Sequence, residues 1–325
     1  MNRRGVALGA VLIVLGAIVP LFVSTPSVVD LAVLSGYYLL LAGSWNLLAG
    51  FTGQLSFAHA GLAAVGGYVA VAVTAGLKLP VALSLPVAGL AAAIIGLGLG
   101  FVSLRVRGTQ LSLITFGFAG ALTVWLAGAS SLTGGTSGHS AGLLFGGIDR
   151  RPYAWLALAL VALYFILQSV ILASRWGLWL VAVRDNQPVA EGLGVRTLVV
   201  QVVVFSYTAF WAGLAGSLYA GYEGIVAPSI ANLGEMALIL AMVVVGGMGR
   251  RLGPVAGVLV LQLIAYEVRG SAAQYTLLIT SVITLAVVFF AKDGLVGAAE
   301  SALRPWRKRR TRWQDVPDNP PQAPE

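Results

Sequence analysis

Apolar residues run along this chain in segments about as long as a membrane is thick, separated by short polar stretches. A bilayer-spanning helix needs about 20 apolar residues. Segments of this kind occur near residues 5–23, 28–48, 57–75, 80–103, 108–127, 153–173, 198–222, 236–249, 252–268 and 275–291. The pattern predicts an all-α, polytopic membrane helix bundle of about ten transmembrane helices. The eighth segment is short and bounded by Gly246, Gly247 and Gly249, which leaves open whether that helix is continuous or broken.

The composition agrees with a chain whose main solvent is lipid. Hydrophobic residues make up 58% and charged residues 10% of the 325 residues, with a mean hydropathy of +0.90. Soluble domains carry about 25% charged residues. The 41 glycines favour closely packed helices. Two stripes of small residues are predicted to serve that packing: Ala212, Gly216 and Ala220, and beside them Gly213, Ser217 and Gly221.

The positive charges orient the bundle. With ten spans, both termini lie on one side, and that side receives sixteen of the twenty Lys and Arg residues. The other side receives Lys78, Arg150, Arg151 and Arg269. The positive-inside rule therefore predicts that both termini are cytoplasmic. The net charge of +8 is explained by this orientation, and no nucleic-acid partner is predicted.

The chain is predicted to form one transmembrane domain, residues 1–303, followed by a tail, 304–325. The apolar stretch in residues 1–23 is longer than the 7–15 residues of a signal-peptide core, and no A-x-A site follows, so a retained first span is expected. The tail is basic and then Pro-rich, a composition that does not form a packed core. It either contacts anionic lipid head groups or remains a solvated anchor.

Several kinds of chemistry are missing from the sequence. No lysine follows a glycine, so the chain cannot build a P-loop of its own. With no cysteine, disulfides and thiolate metal ligands are excluded, and no metal site is predicted. Ion-driven pumps typically place ionisable residues at mid-membrane, whereas five carboxylates here fall at or near outer ends of spans: Asp30, Asp149, Glu223, Glu235 and Glu267. Energy for uphill transport is therefore expected from a partner.

Polar residues gather where the second and third spans meet. Gln54, Ser56 and His59 lie among glycines that permit a helix break and close approach of backbones. Thr115 falls on a polar face of the fifth span, together with Thr109, Ser112 and Thr123. These side chains either line a solute pathway or hydrogen-bond between helices. Gln54, Ser56, His59 and Thr115 are the predicted substrate-pathway residues.

The most charged stretch between two spans is the 174–197 loop, SRWGLWLVAVRDNQPVAEGLGVRT, on the cytoplasmic side. Asp185 or Asn186 can cap a short helix, Pro188 fits its first turn and Gly194 can end it. Val189 and Leu193 then form a small apolar face beside Glu191. Such an amphipathic helix is either an ordinary interfacial connector or a surface presented to another protein.

Together these segments resemble the permease subunits of branched-chain amino acid ABC importers, of the LivM type. The resemblance is carried by NLLAGFTGQLSFAHAGLAAVGGY, RGTQLSLITFGFA with LTGGTSG, SRWGLWLVAVRDNQPVAEGLGV, AGLAGSLYA with VAPS, and VVVGGMGRRLGPVAGVLV, in the family's order. It covers roughly 46–263. It implies the ABC importer permease fold and a transporter subunit of the bacterial cytoplasmic (inner) membrane rather than an enzyme.

The resemblance also implies roles and partners. The segment Arg184–Gly194 would be the coupling helix that docks into a cytoplasmic ABC ATPase subunit, with the coupling residues Arg184, Asp185, Asn186, Val189, Glu191, Leu193 and Gly194. A second, homologous permease subunit would complete the pathway, and an extracytoplasmic solute-binding protein would deliver leucine, isoleucine, valine or a related amino acid. ATP would be used by the ATPase subunits to drive alternating access, with no cofactor bound by this chain.

The sequence departs from the family pattern at Ala58, Gln110, Gly120, Gln187 and Pro188. The changes at Gln110 and Gly120 leave the solute open, because relatives of this type also carry urea or short amides. Pro188 is expected to stiffen the coupling helix. A self-sufficient channel or secondary transporter is disfavoured by the absence of mid-membrane carboxylates, and a membrane enzyme by the presence of only two histidines.

Overall fold

A computed structural model describes residues 26–77, 83–103, 106, 109–145, 150–271, 282 and 294–302. The first predicted span, 5–23, the tenth, 275–291 apart from residue 282, and the tail 304–325 lie outside the described residues. The count of ten spans and the cytoplasmic placement of both termini therefore stay predictions.

The described residues are almost entirely helical. In chain order the helices are α1 (Pro26–Trp45, continued by a π-helical turn, Asn46–Gly50), α2 (His59–Val71, continued by a π-helical turn, Ala72–Gly76), α3 (Ser84–Ser103), α4 (Thr109–Gly128), α5 (Ser130–Thr133), α6 (Arg151–Ala173), α7 (Arg175–Asp185), α8 (Gln187–Gly192), α9 (Thr197–Glu223), α10 (Leu233–Gly246), α11 (Gly253–Ser271) and α12 (Gly294–Ala302). Two-residue strands, β1 (His139–Ser140) and β2 (Ile225–Val226), pair antiparallel.

Six helical segments of the described part are long and apolar enough to cross a membrane: Ser27–Gly50, His59–Gly76, α3, α4, α6 and α9. Two further apolar helices, α10 and α11, are shorter. The prediction of an all-α, polytopic membrane protein is confirmed.

Helix α9 lies at the centre of the bundle and packs on α2 and α3 through the predicted stripes of small residues. A Cβ on Gly216 would collide with the carbonyl of Ala63, and one on Gly213 with the side chain of Ala92. Between the same helices, the hydroxyls of Ser84 and Ser217 form a buried hydrogen bond of 3.2 Å. Only small residues let the backbones approach this closely, so these stripes set the spacing of the core.

Helices α10 and α11 form a tight hairpin, and α10 is continuous. Asn232 caps its start by accepting a hydrogen bond from the Glu235 amide at 2.9 Å. The helix ends at Gly246, because Gly247 takes a positive φ of 115°. The glycine cluster therefore forms the turn after the helix instead of a break within it, and α10 begins and ends three residues earlier than the predicted span 236–249.

At the end of the bundle opposite the 174–197 loop, an ion pair joins α1 to the start of α6. Arg150 Nη1 lies 3.1 Å from Asp30 Oδ1, and the Tyr222 hydroxyl of α9 also donates to Asp30. The hydrogen bond with Asp30 raises the pKa of Arg150 above its ordinary value. Because both charged side chains are about half exposed, this pair adds little stability and mainly fixes orientation.

Candidate functional site

Helices α1 and α2 are separated by a break, residues 53–58, in which the backbone leaves helical geometry. Gly53 takes a φ of +73°, a conformation that favours glycine. The amide of Gly53 still donates to the Ala49 carbonyl at 3.1 Å, and the amide of Gln54 reaches the Leu48 carbonyl at 3.3 Å. The chain therefore turns sharply out of one helix and enters the next at His59.

The break holds buried polar side chains. Gln54 is 6% exposed and His59 is fully buried. Neither the amide of Gln54 nor the imidazole of His59 has a hydrogen-bond partner among the described residues. A buried polar group without a partner costs about 1–3 kcal/mol, so both side chains are suited to bind a small polar molecule. Ser56 differs, because its Oγ accepts from the Ala58 amide at 3.2 Å.

Helix α4 is attached to the same break by two hydroxyls. Thr115 Oγ1 accepts a hydrogen bond from the Phe57 amide at 2.9 Å, and Ser112 Oγ donates to the Leu55 carbonyl at 3.0 Å. Thr123 lies elsewhere, where its hydroxyl donates to the Ala231 carbonyl. The structure thus brings the four predicted pathway residues to one place, with the Thr115 hydroxyl holding the backbone of the break.

An apolar groove of about 480 Å³ lies beside the break. Phe57 lies at one side and packs edge-to-face on Phe116 of α4, with ring centroids 6.2 Å apart. The remaining lining residues come from α10: Leu233, Ala237, Leu240, Ala241 and Val244. Sequence reasoning missed this groove, because apolar residues in an apolar chain give no signal of their own.

The 174–197 loop folds into two helices, α7 and α8. Asn186, and not Asp185, caps α8, since its Oδ1 accepts from the Val189 amide at 3.2 Å. Gly194, with a φ of +84°, ends the turn and donates to the Glu191 carbonyl at 2.9 Å. The prediction of a short capped helix is confirmed, with a length of six residues.

Helix α8 has one face in solvent and one on the protein. Val189 is 56% and Leu193 78% exposed, whereas Ala190 is buried. Glu191, predicted beside the apolar face, points to the start of α9, where its Oε1 accepts hydrogen bonds from Thr197 and Gln187, the first at 2.6 Å. The polar face of α8 therefore anchors the helix to the start of α9, and the side chains of Val189 and Leu193 point away from the protein.

Arg184, near the end of α7, reaches the helix break. Its Nη1 donates to the Gly50 carbonyl at 3.0 Å, and its Nε and Nη2 each lie 3.0 Å from Asp185 Oδ1. A Cβ on Gly53 would lie 3.2 Å from Arg184 Cγ, so the stem of the arginine also covers the first residue of the break. Arg184, a predicted coupling residue, thus contacts the last helical turn before the break and the first residue of the break, next to the predicted pathway residue Gln54.

Asn46, fully buried about two turns before the break, was missed by sequence reasoning. Its Oδ1 accepts from the Gly249 amide at 2.8 Å, and its Nδ2 donates to the Arg250 carbonyl at 2.9 Å. These bonds tie the end of α1 to the α10–α11 turn. The signal available in the sequence was an amide side chain inside a long apolar span.

No group of three His, Asp or Glu side chains that could hold a metal ion occurs in the described ranges.

Comparison with known proteins places this architecture in a family. Residues 27–291 match the model of "Branched-chain amino acid transport system / permease component". The chain is 28% identical to the high-affinity branched-chain amino acid transport system permease protein LivM of Escherichia coli K12, and 27% identical to that of Salmonella typhimurium LT2. Each alignment covers 90% of this chain and 75% of the relative.

A more distant likeness covers part of the chain. The autoinducer 2 import system permease protein LsrC of Escherichia coli O9:H4 is 31% identical over 57% of this chain and 57% of its own length. No solved structure matches the chain significantly. Because the family model spans most of the described helices and both candidate sites, the chain belongs to the family of branched-chain amino acid transport system permease components.

Proposed function

We propose that this chain is the membrane-spanning permease subunit of an ATP-driven importer of the bacterial inner membrane, carrying branched-chain or related amino acids into the cytoplasm. Family membership and the LivM relatives support the class. The observation that carries the proposal is the hydrogen bond from Arg184, at the end of α7 and next to α8, to the carbonyl of Gly50 in the last helical turn before the break. A permease that is powered by a separate ATPase subunit needs a structural connection between the surface that docks the ATPase and the residues that contact the solute.

The helix break suits an amino acid with an aliphatic side chain. Gln54 and His59 offer buried donors and acceptors for an ammonium or carboxylate group. The groove next to Phe57 is almost wholly apolar, and its 480 Å³ lies within the range of small-molecule sites, about 300–1,000 Å³. Ser56 and Thr115 hold the break in shape. We assign Gln54 and His59 to solute contact and the groove to the aliphatic group.

The solvent-facing side of α8 is the proposed docking point for a cytoplasmic ABC ATPase subunit. Val189 and Leu193 supply an exposed apolar contact of a size that fits a groove on a partner. Asn186 and Gly194 fix the ends of the helix, while Arg184 and its neighbour Asp185 join it to the bundle. ATP is bound and hydrolysed by the partner, since this chain has no P-loop.

The remaining partners follow from the same proposal. A second, homologous permease subunit completes the pathway, and an extracytoplasmic solute-binding protein delivers the amino acid. Helix α4 exposes Leu113, Val124 and Trp125, each more than half exposed, to lipid or to that second subunit. Alternating access arises when the ATPase pair closes and α8 moves, which changes the side of the membrane to which the break opens.

The proposal is tested by reconstitution. The chain is co-expressed with the products of its neighbouring genes, purified as a complex and placed in proteoliposomes with the binding protein. Uptake of labelled leucine, isoleucine and valine is then measured with and without ATP, in parallel with urea and acetamide. We expect ATP-dependent uptake of at least one branched-chain amino acid.

Three results would redirect the proposal. ATP-dependent uptake of urea or acetamide alone would keep the transporter class and change the solute. Uptake by this chain without an ATPase subunit would identify a secondary transporter. A complex that binds no ATPase subunit and transports nothing would contradict the proposed function itself.

A further inference from the structure

The last helical turn before the break, the end of α7 and the α10–α11 turn meet at one partly buried junction. Arg184 contributes a hydrogen bond from the surface side to the Gly50 carbonyl. Asn46 contributes two hydrogen bonds from inside, to Gly249 and Arg250. A Cβ on Gly50 would lie 2.5 Å from both Asn46 Oδ1 and the Gly249 nitrogen. Three segments far apart in the sequence are therefore in van der Waals contact at this point.

The hydrogen bond from Arg184 to the Gly50 carbonyl restricts how the guanidinium group can move. Gly50 belongs to the last turn of the helix that begins with α1, where the carbonyls have no partner within their own helix. A cation is favoured there, because the carbonyl ends of a helix carry partial negative charge. Asp185 fixes the guanidinium plane through two of its nitrogens. The arginine therefore cannot follow α7 without displacing the Gly50 carbonyl or losing this bond.

Asn46 determines how the end of α1 responds when the Gly50 carbonyl is displaced. Its amide holds the end of α1 to the α10–α11 turn by a donor and an acceptor at once, and the side chain is fully buried. The last turn of α1 is thereby tied to a hairpin that is itself closely packed. Because Arg184 Cγ also lies against Gly53, a shift of Arg184 would displace Gly53 and the adjoining Gln54.

We infer that Arg184 and Asn46 are positioning residues that make the α1–α2 break follow the coupling helix. Movement imposed on α8 thus reaches Gln54 and His59 at the break. The inference rests on the proposed function, because the ATPase subunit supplies the movement. It assigns Arg184 a bond inside the permease, distinct from any contact with the ATPase, and it assigns Asn46 a part in energy coupling.

The test measures solute uptake per ATP hydrolysed in the reconstituted complex, for Arg184→Lys and for Asn46→Ala. Lysine keeps the charge but cannot bond the Gly50 carbonyl and Asp185 with one rigid fork. Alanine at 46 removes both bonds to the α10–α11 turn and leaves the outward face of α8 untouched. We expect each change to lower uptake per ATP about tenfold, within the usual range of coupling between distant sites.

Matched controls separate loss of coupling from general damage. Arg175→Lys makes the same substitution at an exposed position at the start of α7. Ser44→Ala removes a buried bond within α1, from Oγ to the Leu41 carbonyl, two residues before Asn46. Both controls are expected to keep the uptake per ATP of the unchanged complex.

A direct readout of the break is also available, because the chain has no cysteine. A fluorophore on Leu55→Cys, a 41% exposed position within the break, should respond when ATP is added to the complex. The response should be lost or strongly reduced when Asn46→Ala is added. A structural role without coupling would leave this response in place.

The outcomes of these measurements are distinct. If either junction variant assembles and both uptake per ATP and the Leu55 signal match the unchanged complex, the inference is overturned while the proposed function stands. If the unchanged complex shows no ATP-driven uptake, the proposed function fails first. If Arg184→Lys does not bind the ATPase subunit, the inference is tested by Asn46→Ala alone. If Asn46→Ala does not fold, it is tested by Arg184→Lys alone.

Discussion

Gly50 occupies a position where only a residue without a side chain fits. Its hypothetical Cβ would lie 2.5 Å from two neighbours, the Asn46 amide oxygen and the Gly249 nitrogen, and the Gly249 amide donates a hydrogen bond to that oxygen. Neither neighbour can retreat without breaking that bond. The close approach of two backbones at this residue is therefore what allows the junction to exist.

Gly50→Ala should destabilise the protein by about 1–3 kcal/mol, the usual cost of adding a methyl group to a well-packed site. The measurement is thermal unfolding of the purified chain in detergent. Gly120→Ala on α4 is the control, since a Cβ there would have no neighbour within 4 Å. Equal unfolding temperatures for the two variants would show that the junction relaxes easily.

The buried side-chain amide of Gln54 has no hydrogen-bond partner among the described residues. Such a group is typical of a residue that is kept for function. Gln54→Met should leave stability unchanged or raise it by about 1–3 kcal/mol, because an unpaired buried amide is removed. Uptake should fall at the same time. Unfolding temperature and ATP-driven uptake are measured on the same preparation.

Gln168→Met on α6 is the matched control, because Gln168 is also buried and its Nε2 has no partner among the described residues. It should give a similar change in stability with normal uptake. Wild-type uptake by Gln54→Met would contradict the assignment of Gln54 to solute contact.

At the scale of the element, α8 is a six-residue helix, too short to be stable on its own. It is held by its cap at Asn186 and by the cluster of Gln187, Glu191 and Thr197. Glu191 is therefore used inside the chain, although its charge suggests a contact with a partner. Val189 and Leu193 are the large apolar side chains of this segment that stay exposed for docking.

Asn186→Ala should destabilise α8 by about 1 kcal/mol, the usual value of an N-cap. Hydrogen exchange of the amides in residues 187–192 should become faster, while exchange in the neighbouring helix α9 stays the same. Asn186→Asp retains a capping oxygen and should exchange at the original rate. Unchanged exchange in the alanine variant would mean that tertiary contacts alone hold the helix.

Element boundaries were predictable where a capping signal was present. Asn232 precedes α10, and Glu235 follows at the spacing of a capping box, so the true start of α10 was readable from the sequence. The hydropathy pattern alone predicts a start three residues later, at 236. Hydropathy records where a segment is apolar, whereas hydrogen-bonding groups decide where a helix begins.

At the scale of the whole molecule, the distribution of Lys and Arg predicts that the 174–197 loop and the β1–β2 ladder lie on opposite sides of the membrane. Single cysteines can test this in an otherwise cysteine-free chain. A membrane-impermeant maleimide should label Ser137→Cys only from outside and Arg196→Cys only in inverted vesicles. Both positions are exposed in the structure. Labelling of both from the same side would reverse the predicted topology.

The sequence by itself determined the class of protein, the approximate places of the described spans and a short capped helix in the 174–197 loop. These features depend on composition, on periodicity and on groups a few residues apart, which a sequence displays directly. Gln54, Ser56, His59 and Thr115 could be selected because polar residues are costly in an apolar span. Their gathering at one break was a prediction that needed the fold.

Only the tertiary structure decided how these parts are connected. The bond from Asn46 to Arg250 joins residues 204 positions apart, and the bond from Arg184 to Gly50 joins residues 134 apart. Such contacts arise from the packing of α1, α7 and the α10–α11 hairpin around α9, and no local pattern encodes them. For the same reason the apolar groove beside Phe57 could not be seen in a chain that is apolar almost everywhere.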